Sequence, residues 1–282
     1  MPPAVVDTHC HYFSETTPEE ARRLIARARS AGLTQALVCS ARIGELAYAA
    51  DGAIGEGLAF ALGVHPFDAY IPVDEALHTL EDEVSRRKAS PLFAAVGEIG
   101  LDFRKNVLAG IAERAGITPD EAKARQIDLF VRQLSLARRL DLPVSVHAVH
   151  AAGALLTALE SVPGVRGVIH AYNGSLETAR RLTGLGFKLG FGGALTRPNA
   201  QKLRDLLAAL DATDWVLETN CPWMPAPDAL SGERRARSEP ADIVRILSAA
   251  AAARGLTPES AALEALGNTH QAIPALVPKK LA

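Results

Sequence analysis

The chain has 282 residues, 48% of them hydrophobic, with a formal net charge of −2 at neutral pH. That length suits one large single-core domain, and the near-balanced charge argues against binding nucleic acid through an overall field, so any such site has to be a local basic patch. Three cysteines, an odd number without paired spacing, argue against a disulfide framework; with no basic-apolar leader and no long apolar span, the expectation is a cytoplasmic protein without membrane contact.

In chain order, the first informative stretch is Ala4-Val5-Val6-Asp7-Thr8-His9-Cys10-His11. Apolar residues lead into Asp-x-His-x-His. Strand alternation puts Asp7, His9 and His11 on one face, with Thr8 and Cys10 turned away. Two imidazoles side by side at a strand end form a grip for a divalent metal. A helix over 18–31 follows, started by Thr17 and Pro18 and ended before Gly32. Further strands are expected at 35–40, 58–65, 93–97, 143–147, 165–170, 187–191 and 215–219, and helices at 45–50, 74–87, 119–141, 151–161, 176–185 and 198–210. Largely hydrophobic strands alternating with helices mark a parallel sheet covered on both sides. Eight such units predict the α/β class and a (β/α)8 TIM barrel. An open doubly wound sheet is the alternative, but no glycine-rich phosphate turn follows the first strand. The alanine-rich run 249–253, ended by Arg254, belongs to a surface helix. With no low-complexity linker, 1–282 is expected to be a single domain.

The polar residues keep step with the strands. His9 and His11 end the first, His65 the third, Glu98 and Asp102 the fourth, His147 the fifth, His170 the sixth and Asn220 the eighth. Catalytic groups of such barrels gather at those ends. Independent loop histidines would not fall repeatedly at strand ends, so the set predicts a shared metal centre. Tyr12, Phe67, Phe103, Tyr172 and Trp223 also follow strand ends; Tyr172 and Trp223 are expected to line the mouth and stack on a base or sugar. His65 is placed with these substrate contacts, and Arg197, beyond the seventh strand, is a phosphate contact; Lys202 is a surface residue. Cys221 has no adjacent activating base and reads as a small packed residue.

The ordered motifs resemble the TatD family of metal-dependent hydrolases and deoxyribonucleases, within the amidohydrolase-like barrels. They are Val6-Asp7-Thr8-His9-Cys10-His11, Ala61-Leu62-Gly63-Val64-His65-Pro66, Ala95-Val96-Gly97-Glu98-Ile99-Gly100-Leu101-Asp102, Leu142-Pro143-Val144-Ser145-Val146-His147, Val168-Ile169-His170-Ala171-Tyr172-Asn173-Gly174-Ser175, Gly190-Phe191-Gly192-Gly193-Ala194-Leu195-Thr196 and Val216-Leu217-Glu218-Thr219-Asn220-Cys221-Pro222. The resemblance implies two divalent ions: His9 and His11 on one, His147 and His170 on the other, and Glu98 bridging them. Position 220, normally aspartate, would contact the first ion and the attacking water. Two such ions, about 3.5–4 Å apart, activate water and clamp a phosphodiester. Imidazole mixed with carboxylate suits Mn, Zn or Fe better than Mg, and the sequence does not choose among the four. The implied activity is hydrolysis of DNA ends or single strands, with DNA or an oligonucleotide as substrate.

The chain departs from the family pattern at three places. Asn220 carries no charge and cannot act as a general base, although its carbonyl oxygen can coordinate; Glu218 or Asp7 is positioned to compensate from behind. Val149 stands where the family often has arginine, with His150 beside it as a replacement phosphate contact or as a helix cap. Asn173 stands in place of serine or threonine. The stretch 104–125 carries Lys105, Arg114 and Lys123 and reads as a solvated helical insertion or a substrate lid. Glu239, in Arg237-Ser238-Glu239-Pro240, is expected to order the loop after the eighth strand. Two alternatives accompany the nuclease reading: a hydrolase of small esters or amides, and a catalytically impaired barrel that binds nucleic acid or protein.

Overall fold

The computed structural model describes residues 2–225 and 237–276. Its elements are β1 (Val5–Cys10), α1 (Pro18–Ser30), β2 (Leu33–Cys39), α2 (Leu46–Gly55), β3 (Ala59–Leu62), α3 (Val73–Arg87), β4 (Phe93–Asp102), α4 (Lys105–Ala115), α5 (Pro119–Leu140), β5 (Val144–Val149), α6 (Ala152–Ser161), β6 (Gly167–Ile169), α7 (Leu176–Gly184), β7 (Phe187–Phe191), α8 (Gln201–Ala208), β8 (Trp215–Leu217), α9 (Ile243–Arg254) and α10 (Pro258–Ala272). The strands form one parallel sheet in the order β1 to β8, the expected eight-stranded barrel. The seam between β8 and β1 is closed by individual hydrogen bonds. His11 N donates to Cys221 O at 2.7 Å, Asn220 N to His9 O at 2.9 Å and the Thr8 hydroxyl to Leu217 O at 3.0 Å.

Small and aliphatic residues fill the barrel interior, among them Val6, Leu37, Ala59, Ala61, Ala94, Ala95, Val168 and Val216, with Ile273 and Leu276 packed against them. A second, larger cluster fills the shell between strands and helices. In α9, Ile243, Ile246, Leu247, Ala250 and Ala251 are buried while Ser248 and Ala252 are exposed, so this helix has one buried face.

Strand lengths depart from expectation where the ladder decides them. β4 runs on to Asp102 because it pairs with β5 as far as Asp102 against Val149. Gly100 has φ +142°, and a Cβ there would lie 2.0 Å from the His147 carbonyl oxygen, so only glycine permits this close pairing. β3, β6 and β8 are shorter than their apolar runs. β3 stops at Leu62, and His65 caps the short 3-10 turn Pro66–Asp68 by accepting from Phe67 N.

The long helix α5 starts on a capping box, with Thr118 and Glu121 satisfying each other's backbone. It carries two buried glutamines seven residues apart, hence two turns apart on one face. Gln133 accepts from Val64 N at 2.7 Å and donates to Val64 O at 3.0 Å. Gln126 accepts from Asp102 N at 2.8 Å and donates to Asp102 O at 3.1 Å. Each amide satisfies the N–H and the C=O of one residue, Asp102 at the end of β4 and Val64 just past β3, groups that would otherwise be orphaned in the interior. In the inserted stretch, Arg114 lies over the Tyr70 ring and Lys123 over that of Phe103. These two cations pack on aromatic rings of the shell.

Candidate metal centre

Glu98 sits at the middle of the site because its strand bulges there. Gly97 pairs with Ser145 and Ile99 with Val146, leaving Glu98 as an extra residue between two register positions. Bulges re-aim side chains in this way. The carboxylate is 3% exposed, and five imidazoles surround it. Oε2 faces His9 Nε2 at 3.4 Å and His11 Nε2 at 3.2 Å. Oε1 faces His147 Nδ1 at 2.9 Å, His170 Nε2 at 3.0 Å and His65 Nε2 at 3.3 Å. Among the described residues, His9, Glu98 and His170 bring donor atoms within 4.8 Å of one another, as do His65, Glu98 and His147.

The far nitrogens of these rings are held from behind. His11 Nδ1 donates to Cys39 O at 2.9 Å, leaving the Nε2 lone pair toward Glu98. His9 Nδ1 meets Ser145 Oγ at 2.7 Å, and His147 Nε2 meets Asp102 Oδ2 at 3.1 Å. His170 Nδ1 lies 3.4 Å from Glu218 Oε1, an ion-pair approach without a formed hydrogen bond, and that oxygen accepts from Ala171 N at 2.7 Å. Such partners fix tautomer and orientation in metal-binding histidines. His65 differs. Its Nδ1 accepts from Phe67 N at 3.2 Å, so in the neutral ring the proton is on Nε2, which donates to Glu98.

Burial sets the protonation of the rings. It holds His9 well below the ordinary histidine range, with His170 adding to the effect, and takes His65 down to about 4. Burial also opposes charge on His170, but Glu98 and Glu218 outweigh it and raise that ring to about 10. Glu98 itself is buried, yet His65, His170 and His9 bring its carboxyl well below the usual range. The site is therefore an ionised carboxylate among imidazoles, able to stabilise a buried cation. Neutral His9 and the oriented Nε2 of His11 fit the deprotonated ligand set that a divalent metal requires, and a cation bound there would take the place of the proton that Glu98 and Glu218 hold on His170.

The residues converge on a cavity of about 470 Å³ lined by His11, His65, Glu98, His147, His170 and Asn220, together with Ala41, Arg42, Phe67, Arg104, Ala148, Val149, Asn173, Ala171, Trp223 and Met224. Asn220 is in the left-handed region at φ +53° and is 9% exposed. The Trp223 ring stands 4.5 Å from that of His11.

Three other residues assigned to substrate do not reach the cavity. Tyr172 is buried, with its hydroxyl donated to Ser175 O at 2.6 Å. His150 is exposed and Arg197 is half-buried outside the lining. Neither carboxylate behind Asn220 faces the cavity. Asp7 is taken up by Thr219 and Tyr12, and Glu218 by Ala171 and His170. Cys221 is buried and donates to Ser238 O. Glu239 accepts from Arg27 at 2.8 Å and caps the turn Pro240–Asp242. Sequence reasoning missed Arg42 and Arg104 as lining residues, and it placed Phe67 among the strand-end aromatics but preferred Tyr172 to it. The available signal was their place just past the ends of β2, β3 and β4.

A parallel barrel with imidazoles gathered on a shared carboxylate at the C-terminal strand ends defines a metal-dependent hydrolase. The family model described as TatD related DNase matches residues 6–273, and the chain belongs to the TatD family. The metal-dependent hydrolase YjjV of Escherichia coli (strain K12), itself uncharacterised, is 32% identical over 270 residues, covering 94% of this chain and 96% of the relative. The crystal structure of that TatD homologue matches with a TM-score of 0.82 at 31% identity over 97% of this chain and 98% of that one. The 3'-5' ssDNA/RNA exonuclease TatD of Klebsiella pneumoniae (strain 342) is 33% identical over 241 residues, 82% of this chain and 83% of the relative.

Proposed function

We propose that the chain is a divalent-metal-dependent phosphodiesterase that cleaves single-stranded DNA or oligonucleotides from an end. The observation that carries this reading is the placement of Glu98, one oxygen toward His9 and His11 and the other toward His147 and His170, at the cavity that also takes in Asn220 and Trp223. His9, His11, His147, His170 and Glu98 would hold two divalent ions, with Asn220 as a weak carbonyl ligand to the first. Bound there, the ions supply Lewis acidity, lowering the pKa of water and offsetting charge on the phosphodiester. The chain's own contribution is orientation. Cys39, Ser145, Asp102 and Glu218 fix the imidazoles, His65 donates to Glu98, and Trp223 offers an exposed ring for stacking. The single-strand exonuclease relative supports the substrate class.

The test compares end-labelled single strands with closed circular duplex in the presence of Mg, Mn, Zn or Fe, with His9→Ala as background. Progressive shortening of single strands is expected; preferential nicking of the closed circle would overturn the end-and-pocket reading. Asn220 favours a second reading, a barrel that binds nucleic acid with little turnover, because an amide cannot take the proton of an attacking water. Oligonucleotide binding with wild-type turnover no higher than that of His9→Ala would select it.

A further inference from the structure

The cavity has a second charged wall besides Glu98. Arg42 and Arg104 both line it, and they share one aromatic ring: the Arg42 guanidinium carbon lies 5.3 Å from the Phe67 centroid and that of Arg104 5.7 Å. The two cations arrive from different strands, two residues past β4 and three past β2, so the wall is assembled by the fold.

Each arginine is held by a carboxylate at its root. Arg104 spends Nε and Nη2 on Asp102, at 2.9 and 2.6 Å. Among the described residues its Nη1 makes no hydrogen bond. Asp102 is fully buried and also holds His147 from behind, which places this guanidinium one side chain away from the metal centre. Arg42 is held more loosely, 3.7 Å from the buried Asp68. The side chains of Arg42 and Arg104 are 50% and 41% exposed. The arrangement therefore presents orientated donors and a ring face together. Guanidinium groups suit phosphate oxygens, and an aromatic ring suits a nucleobase or sugar.

Resting on the nuclease reading above, we infer that Arg42, Phe67 and Arg104 form a second nucleotide subsite, which grips the phosphate adjacent to the scissile one and seats its nucleoside on Phe67. A single-strand substrate then enters along this wall, with one phosphate at Glu98 and its histidines and the next at the arginines. Substrates with only one phosphodiester leave the subsite empty. The enzyme is thereby selective for chains of at least two phosphates over simple phosphodiesters.

The experiment measures metal-loaded wild type, Arg42→Gln, Arg104→Gln and Phe67→Leu on a trinucleotide with two phosphodiesters and on bis(p-nitrophenyl) phosphate, which has one. Loss of one charge-assisted contact is expected to lower the trinucleotide-to-simple-diester ratio of kcat/KM by roughly tenfold, mainly through KM. Metal content of the Arg104 variant is measured alongside, because its partner Asp102 also orients His147. Arg42 pairs with Asp68 at 3.7 Å and not with Asp102, so its variant tests the subsite without disturbing the carboxylate behind His147. In parallel, anisotropy of a labelled single strand on the metal-free protein is followed against salt. Each arginine variant should flatten the log–log salt slope by about 0.7 for one lost phosphate contact. Equal losses on both substrates, or an unchanged ratio and salt slope in a wild type that does cut the trinucleotide, would overturn the subsite and leave the nuclease reading standing. Wild-type turnover of the simple diester with neither cleavage nor binding of oligonucleotides would overturn both.

Discussion

Replacing Asn220 with aspartate is expected to raise turnover. Position 220 lines the cavity with His11, His65 and Glu98, and its backbone is fixed independently of the side chain. Its N–H donates to His9 O at 2.9 Å and its carbonyl accepts from Trp223 N at 2.8 Å. The left-handed φ of +53° is one that aspartate tolerates as asparagine does. The exchange is therefore nearly isosteric and changes only charge and basicity. A carboxylate there can accept the proton of an attacking water, worth roughly 10²–10⁴-fold. It also adds a second anion to a ligand set in which, among the described residues, Glu98 is the one carboxylate that lines the cavity. If metal binding tightens about tenfold, linkage adds about 1.4 kcal/mol of stability at saturating metal. The assay titrates metal against single-strand turnover and against Tm in both forms, with His9→Ala as background in each. Unchanged turnover and an unchanged metal midpoint would refute the reasoning and show that position 220 is not the missing base.

Glu98→Gln should remove more bound metal than His11→Ala, because both donor triads share that carboxylate; equal losses measured by elemental analysis would count against a shared ligand. Gly190→Ala would put a Cβ 2.1 Å from Glu218 Oε2 and displace the carboxylate that faces His170. A stability loss of about 1–3 kcal/mol with weakened metal binding is expected, and chemical denaturation with and without metal checks both. Thr118→Ala removes half of the capping box on α5 and should cost about 1 kcal/mol with kcat unchanged; a fall in kcat at full folding would contradict its purely structural role.

The barrel was legible because most strands are largely apolar and the clearest helices open on a threonine followed by proline, as at Thr17-Pro18 and Thr118-Pro119; α10 (Pro258–Ala272) was not expected. Its polar register was equally legible: His9, His11, Glu98, His147 and His170 sit at strand ends and face one another. Contacts beyond the strand ends were less legible, because direction there depends on single backbone turns. Ala171 has φ +47°, and after that turn Tyr172 packs against the wall instead of into the cavity. His150 is itself left-handed, at φ +56°, and exposed. Arg104 was obscured for a related reason. It was counted with the inserted stretch, yet it reaches the cavity because β4 runs five residues beyond its expected end. The bulge at Glu98 left no mark in composition.

The glutamine clamps on α5 also set how the molecule can come apart. The amides of Val64 and Asp102 are tied to Gln133 and Gln126, so neither can reach solvent without the helix lifting from the barrel. In deuterium exchange both should belong to the slowest class, opening with the whole fold. His65 follows Val64 by one residue, and Asp102 carries both His147 and Arg104. A partly unfolded form that sheds α5 thus loses two walls of the cavity in one event. Activity and the global transition should then vanish together on denaturant titration, with no active intermediate between them.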